Sequence, residues 1–122
     1  MKALIVDDSA VMRRVLIGAL ERAGISDVVE ACDGQEGVDC AGQHELGLIL
    51  MDWNMPNMTG IEAVRAIRGA GSSVPIIMVT TEAEKSRVVE ALKAGANNYA
   101  IKPFTPETLV GKITETLERA GV

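Results

Sequence analysis

The sequence predicts an α/β fold, a doubly wound parallel sheet of five strands with helices on both faces, and three observations support this prediction. Short apolar runs alternate five times with longer amphipathic stretches. The runs lack the apolar–polar alternation of half-exposed strands, and such runs are typical of parallel strands covered on both faces. Capping residues and glycines stand at the ends of the amphipathic stretches. This alternation implies an open sheet with right-handed crossovers.

The apolar runs define five strands, and the amphipathic stretches after them define five helices. The predicted strands are Ala3–Val6, Val28–Val29, Gly47–Met51, Pro75–Val79 and Tyr99–Ile101. The predicted helices are Ser9–Ala23, Gly34–Gln43, Gly60–Ala70, Glu84–Ala94 and Pro106–Ala120. The expected strand order, 2-1-3-4-5, is taken from the known flavodoxin-like arrangement of such (βα)5 sheets.

Residue types at the helix ends justify these boundaries. The pairs Asp33/Glu36 and Thr59/Glu62 have the spacing of a capping box, in which the first side chain accepts from a free amide of the first turn. The dipeptide Thr105–Pro106 places a cap before a proline at the first helical position, where its missing N–H costs nothing. Three glycines are expected as left-handed residues that end helices: Gly24, Gly95 and Gly121.

Length and composition limit the classes of protein to consider. The chain has 122 residues, 48% of them hydrophobic and 24% charged, which suits one ordinary globular domain. No repeat or Pro/Gly-rich linker divides it. We therefore expect residues 1–122 to form a single domain with no output domain.

Charge and hydropathy exclude two kinds of partner. Twelve Lys and Arg against seventeen Asp and Glu give a net charge of −5, which disfavours binding to nucleic acid phosphates. No apolar run approaches the roughly 20 residues that span a bilayer. Asp7 and Asp8 interrupt the first apolar run, so no secretory signal is expected. These observations predict a cytoplasmic protein that contacts neither nucleic acid nor membrane.

Polar side chains stand at the end of four predicted strands. Asp7 and Asp8 follow the first strand, Asp52 the third, Thr80 the fourth and Lys102 the fifth. Ligands of doubly wound sheets bind beyond the carboxyl ends of the strands, where the strand order reverses. We therefore expect the three aspartates, the hydroxyl and the lysine to converge on one patch.

The chemistry of this patch fits a metal ion and a phosphoryl group. Three neighbouring carboxylates repel one another, and a hard cation relieves that repulsion. Mg²⁺ prefers oxygen ligands and is commonly bound by one or two carboxylates together with a phosphate. An aspartate beside Mg²⁺ is ionised at neutral pH and attacks phosphorus without a general base. Lys102 and Thr80 can then share the phosphoryl oxygens with the metal.

The chain resembles the response-regulator receiver domains, on three runs of sequence. These runs are Leu4–Asp8, Met51–Gly60 and Ala100–Phe104. The resemblance covers essentially the whole chain, and its acidic pair, aspartate, threonine and Lys-Pro elements occur in the family's order. Within the family, the chain is most similar to single-domain members that act in chemotaxis.

The resemblance implies a role for each residue of the patch. Asp52 would be the phosphoacceptor. Mg²⁺ would be held by Asp7, Asp8, Asp52 and the backbone carbonyl of Asn54. Lys102 would pair with the phosphoryl group.

The resemblance also implies how the switch works. Thr80 would hydrogen-bond to the phosphoryl group, and Tyr99 would be the aromatic switch that turns inward as Thr80 moves. Asn54 and Glu82 would tune dephosphorylation. The bond between Lys102 and Pro103 would be cis.

The function implied is a phosphorylation-activated signalling switch rather than an enzyme. A sensor histidine kinase of the chemotaxis type would phosphorylate it, and its helix 4–strand 5–helix 5 face would then bind a flagellar motor switch protein or another protein target. A monomer is expected, and a phosphatase is compatible with the resemblance. The alternative is a phosphorelay intermediate or a phosphate sink.

Two other classes fit the sequence less well. A flavodoxin-like electron carrier would need a Ser/Thr/Gly loop after the first strand to cradle the flavin phosphate, and carboxylates stand there instead. A phosphatase of the haloacid dehalogenase type would carry a D-x-D arrangement after the first strand. Here the two aspartates, Asp7 and Asp8, are adjacent.

Overall fold

A computed structural model describes residues 1–81 and 87–121, which form one five-stranded sheet flanked by helices. The strands are β1 (Lys2–Val6), β2 (Asp27–Ala31), β3 (Leu48–Asp52), β4 (Ile76–Thr81) and β5 (Asn98–Lys102). The helices are α1 (Ala10–Arg22), α2 (Gly34–Gln43), α3 (Gly60–Gly69), α4 (Val88–Ala94) and α5 (Pro106–Arg119). All strand pairs are parallel and the order is β2-β1-β3-β4-β5, so the predicted fold class and strand order are confirmed.

The sheet separates two hydrophobic cores, which is the meaning of doubly wound. Alternate residues of β1 point to opposite faces: Ala3 and Ile5 join one core, and Leu4 and Val6 join the other. The first core is covered by α1 and α5, the second by α2, α3 and α4. Because both faces of the central strands are buried, these strands need apolar residues at every position. In the described part of the chain, no helix combines the length and apolar character that crossing a bilayer requires.

The strand ends differ slightly from the prediction. Asp52, Thr80 and Lys102 are residues of their strands, whereas the sequence placed them just after the apolar runs. The reason is that the parallel ladder continues beyond the apolar residues: the N–H of Trp53 still donates to the carbonyl of Val79 at 3.1 Å. The backbone that carries these polar side chains is therefore fixed by the regular hydrogen bonds of the parallel sheet.

The helix caps agree with the prediction with one correction. At the start of α3, Thr59 and Glu62 form the full reciprocal capping box. At the start of α2, Asp33 accepts from the N–H of Glu36 at 2.8 Å, but the Glu36 carboxylate accepts from Sγ of Cys32 instead of completing the box. The thiol is a competing donor, so this cap is one-sided.

The remaining predictions of helix ends concern the start of α5, the three glycines and the start of the fourth helix. Thr105 caps α5 with Pro106 at the first turn, and the three helix-ending glycines have positive φ. The predicted start of the fourth helix at Glu84 lies outside the described residues, and the described part of α4 begins at Val88.

Gly60 fixes the turn between β3 and α3. A Cβ atom at this position would lie 2.1 Å from the carbonyl oxygen of Asp52 and 2.9 Å from Cε of Met78. The N–H of Gly60 donates to the carbonyl of Trp53 at 2.8 Å. Only glycine allows the helix to start this close to the strand, and this proximity determines where the backbone of Asp52 lies.

Candidate functional site

Three carboxylates converge at the carboxyl edge of the sheet. One carboxylate oxygen each from Asp7, Asp8 and Asp52 lies within 4.8 Å of the other two. Asp7 and Asp52 are buried, with 1% and 6% of their surface exposed, whereas Asp8 is exposed. The strand register explains the meeting, because β1 and β3 are adjacent and Val6 pairs with Met51, one residue before the aspartates on both strands. Two carboxylates of the cluster are thus buried, and the third, that of Asp8, is accessible to solvent.

Lys102 supplies positive charge to this cluster. Its Nζ donates a hydrogen bond to Oδ1 of Asp52 at 3.1 Å and lies 3.7 Å from Oδ2 of Asp7. The following bond, Lys102–Pro103, is cis, the geometry that the resemblance implied. One ammonium therefore faces two buried carboxylates, which leaves the cluster with a net negative charge.

The environment raises the pKa of Asp52 from 3.8 to about 6. Burial is the largest cause, because it disfavours the charged carboxylate, and repulsion from Asp7 adds to it. The charge and hydrogen bond of Lys102 act in the opposite direction and do not compensate fully. The carboxylate is nevertheless mostly ionised at neutral pH.

The donor set fits a hard divalent cation. Oδ1 of Asp7 accepts from the N–H of Ser9 at 2.8 Å, while its Oδ2 is buried and makes no hydrogen bond to residues 1–81 or 87–121. An unsatisfied buried carboxylate oxygen is costly unless a cation or solvent completes its environment. Carboxylate oxygens are also the ligands that Mg²⁺ prefers. Asn54 lies exposed two residues after Asp52, next to this cluster in sequence.

Arg13 anchors the backbone of Asp7, a contact that the sequence did not suggest. Its Nη1 donates to the carbonyl oxygen of Asp7 at 2.7 Å, and its Nε donates to Oε1 of Glu30 on β2 at 3.0 Å. The Arg13 side chain is only 18% exposed. Charge-assisted bonds of this kind hold geometry well. Arg13 therefore fixes the strand end that carries the acidic pair.

A second contact missed by sequence reasoning holds the loop after β3. Asn57 has φ of 69°, in the left-handed region, and its Nδ2 donates to Oδ2 of Asp33 at 3.4 Å. The same Asp33 caps α2 through its other oxygen. The loop that carries Asn54 is thus linked to α2.

Thr80 lies on β4 and Tyr99 on β5, and both strands are on the opposite side of β3 from β1. Thr80 is 1% exposed and its hydroxyl lies 3.4 Å from the carbonyl oxygen of Thr81. Tyr99 is half-buried on the edge strand β5, and Nζ of Lys112 lies 4.4 Å from the centroid of its ring. Glu82 lies outside the described residues. The predicted switch residues Thr80 and Tyr99 therefore occupy adjacent strands, and the ring of Tyr99 contacts Lys112 of α5.

The sequence matches a known family over most of its length. The family described as "response regulator receiver domain" matches residues 3–114. A chemotaxis protein CheY homolog of Campylobacter jejuni is 48% identical, and the match covers 96% of this chain and 92% of that protein. Chemotaxis protein CheY1 of Helicobacter pylori is 44% identical, with 96% and 97% covered.

Solved structures show the same fold. Chemotaxis response regulator CheY4 of Vibrio cholerae aligns with a TM-score of 0.84 at 38% identity, covering 94% of this chain and 97% of that one. A CheY-like receiver domain protein of Methanospirillum hungatei aligns with a TM-score of 0.88 at 32% identity, covering 98% and 95%. Such similarity over nearly the whole length is consistent with phosphorylation-dependent two-component signalling. It confirms the resemblance drawn from the sequence, and the chain belongs to the family of response-regulator receiver domains.

Proposed function

We propose that this protein is a phosphorylation-activated switch in which Asp52 accepts a phosphoryl group from a sensor histidine kinase. The observation that carries the proposal is the position of Asp52, a buried carboxylate between a second buried carboxylate and an ammonium 3.1 Å away. Neither burial nor repulsion from Asp7 favours folding, so the arrangement is explained by function rather than by stability.

The transfer requires Asp52 to act as a nucleophile. One of its carboxylate oxygens attacks the phosphorus of the kinase phosphohistidine, a P–O bond forms and the P–N bond breaks. The electron pair of the broken bond stays on the imidazole nitrogen, which takes up a proton from solvent. Because Asp52 is mostly ionised at neutral pH, no general base is needed.

Charge neutralisation and positioning complete the site. Asp7, Asp8, Asp52 and the backbone carbonyl of Asn54 would hold Mg²⁺, which when bound neutralises charge on the carboxylates and the phosphoryl oxygens. Lys102 would transfer its hydrogen bond from Oδ1 of Asp52 to a phosphoryl oxygen.

The response to phosphorylation would pass through Thr80 to Tyr99. The hydroxyl of Thr80 would donate to the phosphoryl group, and Tyr99 would turn into the space released beside β4. The face formed by α4, β5 and α5 would then bind its target. Since two relatives are named chemotaxis proteins, we propose a flagellar motor switch protein as that target.

Phosphorylation by a small donor tests the central assignment. Incubation with acetyl phosphate and Mg²⁺ should add one phosphoryl group to the wild type and none to Asp52→Asn, measured by intact-protein mass spectrometry. Asp27→Asn, an exposed aspartate at the opposite edge of the sheet, is the matched control and should behave as wild type. Uptake by Asp52→Asn at a comparable rate would disprove the assignment.

The lifetime of the phosphorylated form distinguishes the motor switch from a phosphorelay carrier. As the resemblance implies, Asn54 and Glu82 would tune dephosphorylation, and the exposed side chain of Asn54 would leave water access to the acyl phosphate. We therefore expect self-dephosphorylation that is fast enough for a behavioural response. A phosphorylated form that persisted for hours would favour the phosphorelay role.

A further inference from the structure

Arg87 contacts Trp53, the residue that follows Asp52, and this contact lies outside the site described above. The guanidinium carbon of Arg87 lies 4.9 Å from the centroid of the indole ring, within the range of a cation–π interaction. Trp53 is only 1% exposed. Its N–H donates to the carbonyl of Val79, and its carbonyl accepts from the N–H of Gly60. The indole is therefore a fixed platform, and Arg87 reaches it from the N-cap position of α4.

The contacts of Arg87 join two parts of the fold. The Arg87 side chain makes no hydrogen bond that caps α4. It lies over the indole of Trp53 and pairs with the carboxylate of Glu90. Because Trp53 directly follows Asp52 in the sequence, these contacts connect α4 with the residue next to the proposed phosphoacceptor and point to a role in function.

A short chain of ion pairs orients Arg87. Its Nε donates to Oε2 of Glu90 at 3.2 Å, and Oε1 of Glu90 lies 3.7 Å from Nη2 of Arg65 on α3. These side chains are about half exposed, so each pair adds little stability. Together they restrict the rotamers of Arg87 and keep its guanidinium over the indole.

We propose, building on the function proposed above, that Arg87 is a positioning residue that couples phosphorylation of Asp52 to the placement of the first turn of α4. Phosphorylation replaces the ionised Asp52 carboxylate with an acyl phosphate that carries about −1.5 to −2, so the negative charge at the residue before Trp53 grows by about 0.5 to 1. A cation held on Trp53 stabilises that charge. By thermodynamic linkage, the added charge strengthens the contact between Arg87 and Trp53 by the same factor. Phosphorylation thus holds the start of α4 against the end of β3.

Binding of beryllofluoride with Mg²⁺, a mimic of the phosphoryl group, tests the coupling. Amide NMR signals of β3 report the affinity, and those of residues 88–90 report the placement of α4. Arg87→Gln removes the contact, and Lys93→Gln removes the same charge from the other end of α4 as a matched control. Arg87→Lys keeps the charge but loses the planar group that stacks on the indole.

The expected result is graded. Arg87→Gln should bind beryllofluoride about two- to fivefold more weakly than the wild type at low ionic strength, and the difference should shrink as salt is added. Arg87→Lys should be intermediate and Lys93→Gln unchanged. The amide shifts of residues 88–90 on binding should be smaller in Arg87→Gln than in the wild type, a response that loss of stability alone would not produce.

Two results would overturn the inference while leaving the proposed function intact. One is equal or tighter binding of beryllofluoride by Arg87→Gln. The other is an equal weakening in Lys93→Gln, because the effect would then not depend on the contact with Trp53. If the wild type itself did not bind beryllofluoride, the proposed function would fail and the inference with it.

Discussion

Lys102 and Asp52 lie on strands that are not neighbours, yet the ammonium of Lys102 donates a hydrogen bond to Oδ1 of Asp52 at 3.1 Å. The lysine side chain reaches past the end of β4 to do so. This contact lowers the pKa of Asp52 but does not cancel the effects of burial and of Asp7, and the pKa remains at about 6. In the absence of a cation, the folded chain therefore holds the Asp52 carboxylate at a cost in stability.

Replacing Asp52 with asparagine should stabilise the metal-free protein at neutral pH. The pKa of Asp52 is about 6 in the folded chain against an ordinary 3.8, so the folded chain binds the proton more tightly than the unfolded chain. The stability that this proton contributes is complete below about pH 4 and is lost as the pH rises through 6. The asparagine side chain stays neutral throughout. The variant should gain about 2–3 kcal/mol over the wild type at pH 7.5 and almost nothing at pH 4.

Urea unfolding in EDTA at both pH values measures this difference in the free energy of unfolding. Asp27→Asn, which changes an exposed carboxylate, is the control and should show no comparable gain at pH 7.5. An equal gain for Asp52→Asn at pH 4 and pH 7.5 would show that the electrostatic explanation is wrong.

Removing the Asp8 carboxylate should weaken Mg²⁺ binding by about tenfold or more, since a cluster of three carboxylates loses its exposed member. The single tryptophan, Trp53, follows a proposed metal ligand, so its emission should report the titration. Asp8 is exposed, and Asp8→Ala should therefore remain folded. The control is Asp27→Ala, which should bind Mg²⁺ as the wild type does. If Asp8→Ala bound Mg²⁺ with the same affinity as these two proteins, the acidic pair would not be a metal site and would serve only to start a helix.

Two glycine-to-alanine substitutions should have opposite effects on stability. Gly60→Ala places a methyl group against the Asp52 carbonyl and should cost about 2–4 kcal/mol, because backbone must move. Gly111→Ala lies in the middle of α5, where no atom of the described residues is within 4 Å of the new methyl group, and it should stabilise by about 0.5–1 kcal/mol. Thermal unfolding compares them. Gly60→Ala should also weaken Mg²⁺ binding, and an unchanged affinity would contradict the role given to this turn.

Activation should change the environment of Tyr99. It is the only tyrosine in the chain, so every tyrosine ring signal in an NMR spectrum belongs to it. Beryllofluoride with Mg²⁺ should shift these signals and the amide signals of α4, since the ring is expected to leave its contact with Lys112. Perturbation confined to the pocket of Asp7, Asp52 and Lys102 would count against the proposed switch.

The order of the elements could be predicted because local signals agree with the tertiary structure. The central strand β3 is buried at every residue, and its first four residues, Leu48–Met51, form an unbroken apolar run. The edge strand β2 is longer than its apolar pair Val28–Val29 suggests, since it extends over Asp27–Ala31. Asp27 and Glu30 of this strand are exposed and polar, so pairing with β1 rather than hydrophobicity sets its length.

Residues of the candidate site could be predicted from the sequence only where a polar or charged residue comes at the end of an apolar strand. Asp7 and Lys102 are visible in this way because parallel strands end at the same edge. Arg13 and Arg87 are not, since a cation on or beside a helix looks like a solvated charge until its partner is known. Trp53, the partner of Arg87, lies far from it in the sequence, and only the fold brings the two side chains together.

The order of the strands along the chain determines when the groups of the site come together during synthesis. Its carboxylates come from β1 and β3, but the ammonium that faces them comes from β5, the last strand to be synthesised. Chains emerge from the ribosome N-terminus first, so a nascent copy carries the acidic residues before Lys102 exists. The pocket is complete only when β5 pairs with β4. A chain that ends before β5 therefore lacks the ammonium that offsets the repulsion between the buried carboxylates of Asp7 and Asp52.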